Sequence, residues 1–436
     1  MWLAGYLTRR KAGEMQNQPA EHSGLHSWHH GMIFLLACAT LVARRPDAIL
    51  HAQFFAEDGH VWFADAYNYG WWAALFRAHT GYFQTLPRLG AAIALLVPFY
   101  FAPMVLNAIA IAVQAIPVNL LLSSRSSAWG SLRFRALLAG IYLALPNCSE
   151  LSSSITESQW LLALCAFLLL VASIPQSLAG RVFDVSILML CGLTGPFCIT
   201  LLPFALFLAW RRRECWRWVP AGLLAGLCVV QAWALLIVDP GGRARAALGA
   251  SPALFARILA GQVYCAALLG RNRLAVLPGL PVLLCLVAVA IGGTAVVVFC
   301  YLSSSLQLRL FLLFSAALFA LALISPTGSL SGGASFWANL AAAPGIRYWF
   351  FPTLAFAWSV LWCFRCRKPR LKVIGGYLLF FMCIGIVRDW RHPAFQDMHF
   401  AEYAKRVEAA PSGTTVTIPL NPEGWNMKLV KRSPRR

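Results

Sequence analysis

The stretch QFFAEDGHVWFADAYNYGWWAALFRAHTGYFQTLPR, from Gln53 to Arg88, lies between two apolar runs, so a chain that crosses a bilayer presents it at the surface. It contains Glu57 and Asp58, the only adjacent carboxylates in the sequence. With Asp65 they place three of the 16 acidic residues inside nine positions, and no further Asp or Glu follows until Glu150. Eleven aromatics fall between Phe54 and Phe83, where the 13% average would give about four. Aromatic rings with one greasy and one wet side concentrate at the membrane–water interface. An acidic pair held there faces the depth at which a lipid-borne substrate carries its polar head.

Outward from this loop, composition sets the class. The chain has 436 residues, 59% hydrophobic and 12% charged, with a mean hydropathy of +0.66. Soluble domains run near about 45–50% apolar and about 25% charged. Many runs here approach the ~20 apolar residues that span a bilayer. The sequence reads as an all-α polytopic membrane protein, with membrane lipids as partners and no nucleic acid. Its net charge of +20 suits phosphate-bearing partners, whether lipid headgroups or a substrate. Positive-inside topology signals alone also collect Lys and Arg. The 13 cysteines lie mostly in apolar runs and suggest no disulfide framework. Cys363 and Cys366, spaced C-x-x-C at a span end, read as structural.

Residues 1–30 are polar and basic, with Arg9, Arg10 and Lys11, and are expected in the cytoplasm. His22, His26 and His30 recur every four residues and read as a solvated face, since a metal site needs more ligands. The apolar run from Gly31 is too internal for a removable signal peptide and forms the first span, ending near Arg44–Pro46. The first external loop then covers 45–85. Residues 86–122, interrupted by Pro98 and Pro103, form either two spans or one long kinked crossing. Residues 182–210 form one span or, broken at Thr194-Gly195-Pro196, a hairpin. Further spans are expected at 134–146, 160–174, 219–238, 275–301, 309–325, 345–362 and 373–387. Residues 239–272 read as an external loop with an interfacial helix, and 325–346 as another external loop. Basic clusters at 211–217 and 365–372 mark the cytoplasmic side. The count is about eleven whichever of the two ambiguous regions crosses twice, with a tail, 388–436, outside. No internal repeat of the kind found in many transporters is visible.

Transfer of a sugar from a polyprenyl phosphate needs few groups. A carboxylate takes the proton of an acceptor hydroxyl, which attacks the anomeric carbon. A guanidinium stabilises the charge growing on the departing phosphate. The outer face offers Glu57 and Asp58 as carboxylates. Arg88, after Pro87, and Arg347-Tyr348, at the outer end of a span, are candidate substrate contacts. His79, before Thr80-Gly81-Tyr82, is a third. No P-loop or G-x-G-x-x-G motif is present. Plainer readings stand beside these. Glu57 and Asp58 can be solvated charges or helix caps, Arg88 and Arg347 snorkelling interface residues, and Glu150 and Glu157 polar loop residues. Asn147-Cys148-Ser149 matches a glycosylation sequon. The tail segment TTVTIPLNPEGWNMKL, 414–429, alternates like a short strand and turn that folds over the outer loops.

The acidic pair in Ala56-Glu57-Asp58-Gly59, the aromatic segments after it and the late external Arg347 resemble the type-C glycosyltransferase (GT-C) superfamily. The predicted topology of about eleven spans fits the same pattern. The resemblance implies a hexosyl- or pentosyltransferase using a polyprenyl-phosphate sugar, with a glycan, lipid or protein acceptor. Glu57 or Asp58 would be the base, or would bind a divalent cation (Mg or Mn), and Arg347 or Arg88 would hold the donor phosphate. The GT-C-like domain would cover 31–387 in a bacterial-type inner membrane, its active face periplasmic or extracellular. The tail is shorter than the soluble domains that some members append. The rival class is a transporter or flippase of a lipid-linked or anionic substrate. That class places ionisable residues at mid-span, where this sequence has almost none.

Overall fold

The computed structural model describes residues 27–239, 247–326 and 335–432. Arg9, Arg10, Lys11, His22 and His26 of the expected cytoplasmic tail, Gly241-Gly242 and the middle of the 325–346 loop lie outside the described residues. Among the described residues, six helices are long and apolar enough to cross a membrane. They are Phe99–Leu122, Cys215–Val238, Pro252–Leu269, Leu280–Ser303, Leu306–Ile324 and Pro369–Arg388. The architecture is that of an all-α, multi-pass membrane protein.

Helix Ser158–Val171 forms the centre, with all 14 of its residues buried. Its Phe167 stacks on Phe314 at 5.0 Å, and Phe311, Phe351 and Trp358 close the cluster around it. Between helices in lipid, such close packing holds the assembly together, since lipid tails are as apolar as the side chains.

Region 86–122 takes neither of its two expected forms. A ten-residue helix, Thr85–Ala94, is followed by the 3₁₀ turn Phe99–Phe101 and the 21-residue helix Ala102–Leu122. Ten residues rise only about 15 Å, half of the ~30 Å hydrocarbon core. Pro98 accounts for the break, because its ring disfavours helical backbone at the residue before it. Pro103 sits in the first turn of the longer helix, where its missing N–H costs nothing. Region 182–210 is instead divided at Thr194-Gly195-Pro196 into Leu178–Leu193 and Phe197–Arg212, of 16 residues each.

Side-chain contacts sort the helix ends into two groups. At one end, Arg125 donates to Ser173 O and pairs with Asp184, while Arg217 donates to Leu170 O and Ala172 O. Arg365 lies there too, 4.8 Å over the Phe134 ring. Arg125 and Arg217 meet carbonyls left unpaired at and just past the C-terminus of Ser158–Val171. The opposite end gathers the acidic loop, residues 145–157 and 344–349, and the tail. There Arg44, 3% exposed, donates to Leu143, Leu145, Asp389 and Trp390 carbonyls at 2.7–3.2 Å.

Helix Pro252–Leu269 has both of its ends at this second end of the bundle. Just before it, Leu248 O accepts from Trp337 N, and the Trp337 indole donates to Leu323 O near the top of Leu306–Ile324. Just after it, Gly270 meets Gly385 near the top of Pro369–Arg388. The helix therefore lies across the end of the bundle, as an interfacial helix in 239–272 would.

The tail forms helix Phe400–Ala409 and an antiparallel pair, β1 (Thr415–Leu420) and β2 (Trp425–Val430). Alternate residues Ile418, Leu420, Met427 and Leu429 turn inward and join Phe54, Trp62 and Phe63 of the acidic loop in a second core.

Candidate functional site

The tail fixes the backbone of the acidic loop. Ala56, in left-handed backbone at φ +43°, donates its N–H to Asn421 O at 2.5 Å. A Cβ on Gly59 would lie 2.9 Å from both Leu420 Cδ1 and Phe54 Cβ, so loop and tail close up only around a glycine. From Asp58 to Phe63 the chain winds as a π-helix, a geometry frequent at functional sites. Beyond it, short helices Ala64–Tyr69 and Trp71–Leu75 leave Tyr69, Trp71, Trp72 and Phe76 exposed, as an interfacial belt requires.

The two adjacent acids have different surroundings. Asp58 is 2% exposed and accepts from the Thr156 hydroxyl at 2.5 Å and the Thr156 N–H at 3.2 Å. Burial pushes its carboxyl up to about 7, against the lowering effect of the Thr156 bonds and with the Glu57 charge adding to the rise. Glu57 is half-buried and has no hydrogen-bond or ion-pair partner among the described residues.

Beside them stands Arg347. Its backbone N–H donates to Glu150 Oε2 at 2.6 Å and its Nη1 to Glu150 Oε1 at 2.7 Å. The same Nη1 reaches Glu157 Oε1 at 3.2 Å, and the guanidinium lies 5.0 Å over the Tyr348 ring. Glu157 Oε2 is buried without a partner. Burial raises the Glu157 carboxyl well above the usual range; Arg347 opposes this, while Glu150, Glu57 and Asp58 reinforce it. One guanidinium thus pairs with Glu150 and Glu157 from one loop and also feels the charge of Glu57 from the other.

The turn that presents Arg347 is built by Asn147, whose Oδ1 accepts from Gly345 N at 2.7 Å, and by Glu150 N, which donates to Gly345 O. Gly345 has φ +83°, backbone that favours glycine. Asn147 is 1% exposed and its amide also donates to Gln262 O, so the sequon asparagine is an interior strut and not a glycan acceptor.

Arg88 and His79 form a separate group around Trp62. Arg88 pairs with Asp65 at 3.1 Å and lies 5.0 Å over the Trp62 ring, its side chain 1% exposed. His79 meets the same ring edge-on at 5.2 Å; burial, then the Arg88 charge, lowers its pKa. Arg88 is an internal brace in this arrangement, and a phosphate contact would require its ion pair to open. The Trp62 indole donates to Thr156 Oγ1 at 2.7 Å and so connects this group to Asp58.

The acids do not fit a resident Mg or Mn ion. Glu150 gives both oxygens to Arg347, Asp58 Oδ1 is taken by Thr156, and no group of three or more His, Cys, Asp or Glu among the described residues is disposed to hold a metal.

The sequence points to Glu57, Asp58, Arg347 and Tyr348 on one face; in it Glu150 and Glu157 read as loop charges, Asn147 as part of a sequon, and Thr156 carries no signal. The available signal was isolation: Glu150 and Glu157 are the first acids after Asp65, in a polar segment between apolar runs. Compared with known proteins, the chain matches no family model and no curated relative.

Proposed function

We propose that this protein is an integral membrane glycosyltransferase of GT-C architecture. It would move a sugar from a polyprenyl-phosphate donor to a hydroxyl of a glycan, lipid or protein acceptor at the outer face of a bacterial-type inner membrane. One observation carries this reading. An unpartnered, half-buried Glu57 stands beside the Arg347–Glu150–Glu157 cluster, at the end of the bundle away from Arg125, Arg217 and Arg365. On the positive-inside rule the end that carries the basic clusters 211–217 and 365–372 is cytoplasmic, so the acidic end faces out. Eleven helices then span, with Leu178–Leu193 and Phe197–Arg212 as the double crossing and Thr85–Ala94 remaining at the outer face.

In the reaction, Glu57 accepts the proton of the acceptor hydroxyl as its oxygen bonds to the anomeric carbon. The bond from that carbon to the phosphate oxygen breaks, and polyprenyl phosphate leaves with the electron pair. The proton on Glu57 then passes to solvent, restoring the base. Asp58 is too enclosed for this task; tied to Thr156, it holds Glu57 against the Arg347 turn. The charge of Arg347 lies where it attracts the phosphate, although it must share its donors with Glu150 and Glu157.

The test is bond cleavage. Purified protein given polyprenyl-phosphate pentoses and hexoses with acceptor should release free polyprenyl phosphate. Movement of the lipid-linked substrate across vesicles without cleavage would support a transporter instead.

A further inference from the structure

Next to the acidic cluster, the same end of the molecule carries a concentration of charge of the opposite sign. A cavity of about 350 Å³ is lined by Arg271, Asn272, Arg273, Pro344, Arg388 and Asp389. Its walls bring three guanidiniums against one carboxylate. That carboxylate is already committed, since Asp389 Oδ2 accepts from Asn147 N and Arg271 N at 2.9 Å each and Oδ1 from Arg271 Nε at 3.0 Å. Arg273 and Arg388 are exposed and have no ion pair among the described residues. Arg44 and Arg45 lie behind the wall. Burial, followed by the charges of Arg44, Arg45 and Arg271, drives the pKa of His392 down to about 2.

The walls are held in place by backbone. Gly385 approaches the 268–270 turn so closely that a Cβ would lie 2.8 Å from Gly270 N and Leu268 O. This contact sets Arg388 and Asp389 against Arg271. The cavity also stands at the end of an apolar face: Tyr377, Phe380, Ile384 and Val387 of helix Pro369–Arg388 are all exposed. A ligand with an apolar chain along that face would carry its head into the arginines.

We propose that this cavity binds a phosphate-bearing headgroup, monophosphate or diphosphate, with Arg273 and Arg388 as its hydrogen-bond donors and Arg271 as the fixed charge at its back. Guanidinium forks match phosphate oxygens in pairs, and the volume is ample for two phosphoryl groups. The inference goes beyond the transfer reading and does not depend on it, because a binding or carrier protein would need the same site. It assigns phosphate recognition to three arginines in addition to Arg347.

The experiment measures binding and needs no turnover. Full-length protein in neutral detergent is titrated with inorganic pyrophosphate, with farnesyl phosphate and with uncharged farnesol, following thermal stabilisation. At least one phosphate should bind saturably, and the double variant Arg273→Gln/Arg388→Gln should weaken it at least about tenfold, as expected for losing charge-assisted bonds. Arg273→Lys/Arg388→Lys should fall between, and Arg370→Gln, an exposed arginine in the 365–372 basic cluster, should leave the affinity unchanged. Pyrophosphate binding as tightly as farnesyl phosphate would identify a soluble anion as the source. Farnesyl phosphate binding alone, with farnesol inert, would identify a lipid headgroup. Either supports the site. Unchanged affinity in the double Gln variant, or no binding of either phosphate to folded wild-type protein, overturns it.

Discussion

The hydroxyl of Thr156 lies 2.5 Å from Asp58 Oδ1 and ties the first acidic loop to the segment that leads into the central helix. The same oxygen accepts from the Trp62 indole at 2.7 Å, so one side chain satisfies two buried polar groups from the other loop. This junction gives Asp58 a structural place and leaves Glu57 free beside it.

Thr156→Val should therefore unfold more easily than wild type. It keeps the shape but leaves the Trp62 N–H without its acceptor and removes a bond from a buried carboxyl, a cost of roughly 1–3 kcal/mol. Thr156→Ser should restore most of it. Thermal unfolding in detergent, followed by aggregation or by near-ultraviolet circular dichroism, reads the difference.

The contribution of Asp58 to stability should fall as pH rises. The folded state holds the Asp58 proton up to about pH 7, whereas the unfolded chain releases it near 3.8. Between these values the folded state holds this extra proton, so the Asp58 contribution declines from about pH 4 to about pH 7 and levels off above. The full effect is roughly 4 kcal/mol. Asp58→Asn keeps the oxygen that Thr156 donates to and should reduce the slope between pH 5 and pH 8. Glu157 acts in the same direction, whereas the buried His79 and His392, whose pKa values are lowered, act in the opposite direction below about pH 6.5.

Arg347→Lys should separate geometry from charge. Lysine supplies the positive charge and one nitrogen that can donate to Glu150 and Glu157, as Nη1 does, but lacks the planar fork that matches phosphate oxygens in pairs. Transfer activity should drop substantially while the protein still folds. Arg347→Met should also lose stability, by roughly 3–5 kcal/mol, because it abandons buried carboxylates. Wild-type behaviour in the Lys variant would show that the fork has no role.

Sidedness can be read by cysteine labelling in a background with Cys215, Cys285 and Cys383 replaced by serine. Ala73→Cys and Glu423→Cys, both at exposed positions at the acidic end, should react with an impermeant reagent from outside. Arg370→Cys should react only after permeabilisation. Labelling of position 73 without 423 would separate the loop from the tail.

The class and the site neighbourhood were legible for different physical reasons. Composition alone requires a membrane protein, and the position of Glu57-Asp58 between apolar runs places it at a surface. The break at Thr194-Gly195-Pro196 was visible as turn chemistry, but the short helix Thr85–Ala94 was not. A ten-residue apolar helix under the acidic loop has the same composition as a span. Pairings such as Glu150 with Arg347, 197 positions apart, leave no local pattern, because neither residue's neighbours depend on the other. The arginine cavity was hidden for the same reason: its members come from 271–273, 344 and 388–389 and meet only in the fold.

The central claim is that Glu57 is the base of a transfer reaction, and amide exchange of the two adjacent acids tests it most directly. In an assay following release of polyprenyl phosphate, Glu57→Gln should lose about 10²–10⁴-fold, the usual contribution of general base catalysis, while folding normally. Asp58→Asn, assayed at pH 8, should lose less than about tenfold, since its contact with Thr156 survives. Near-full turnover in Glu57→Gln, or collapse of activity in Asp58→Asn alone, would contradict the assignment.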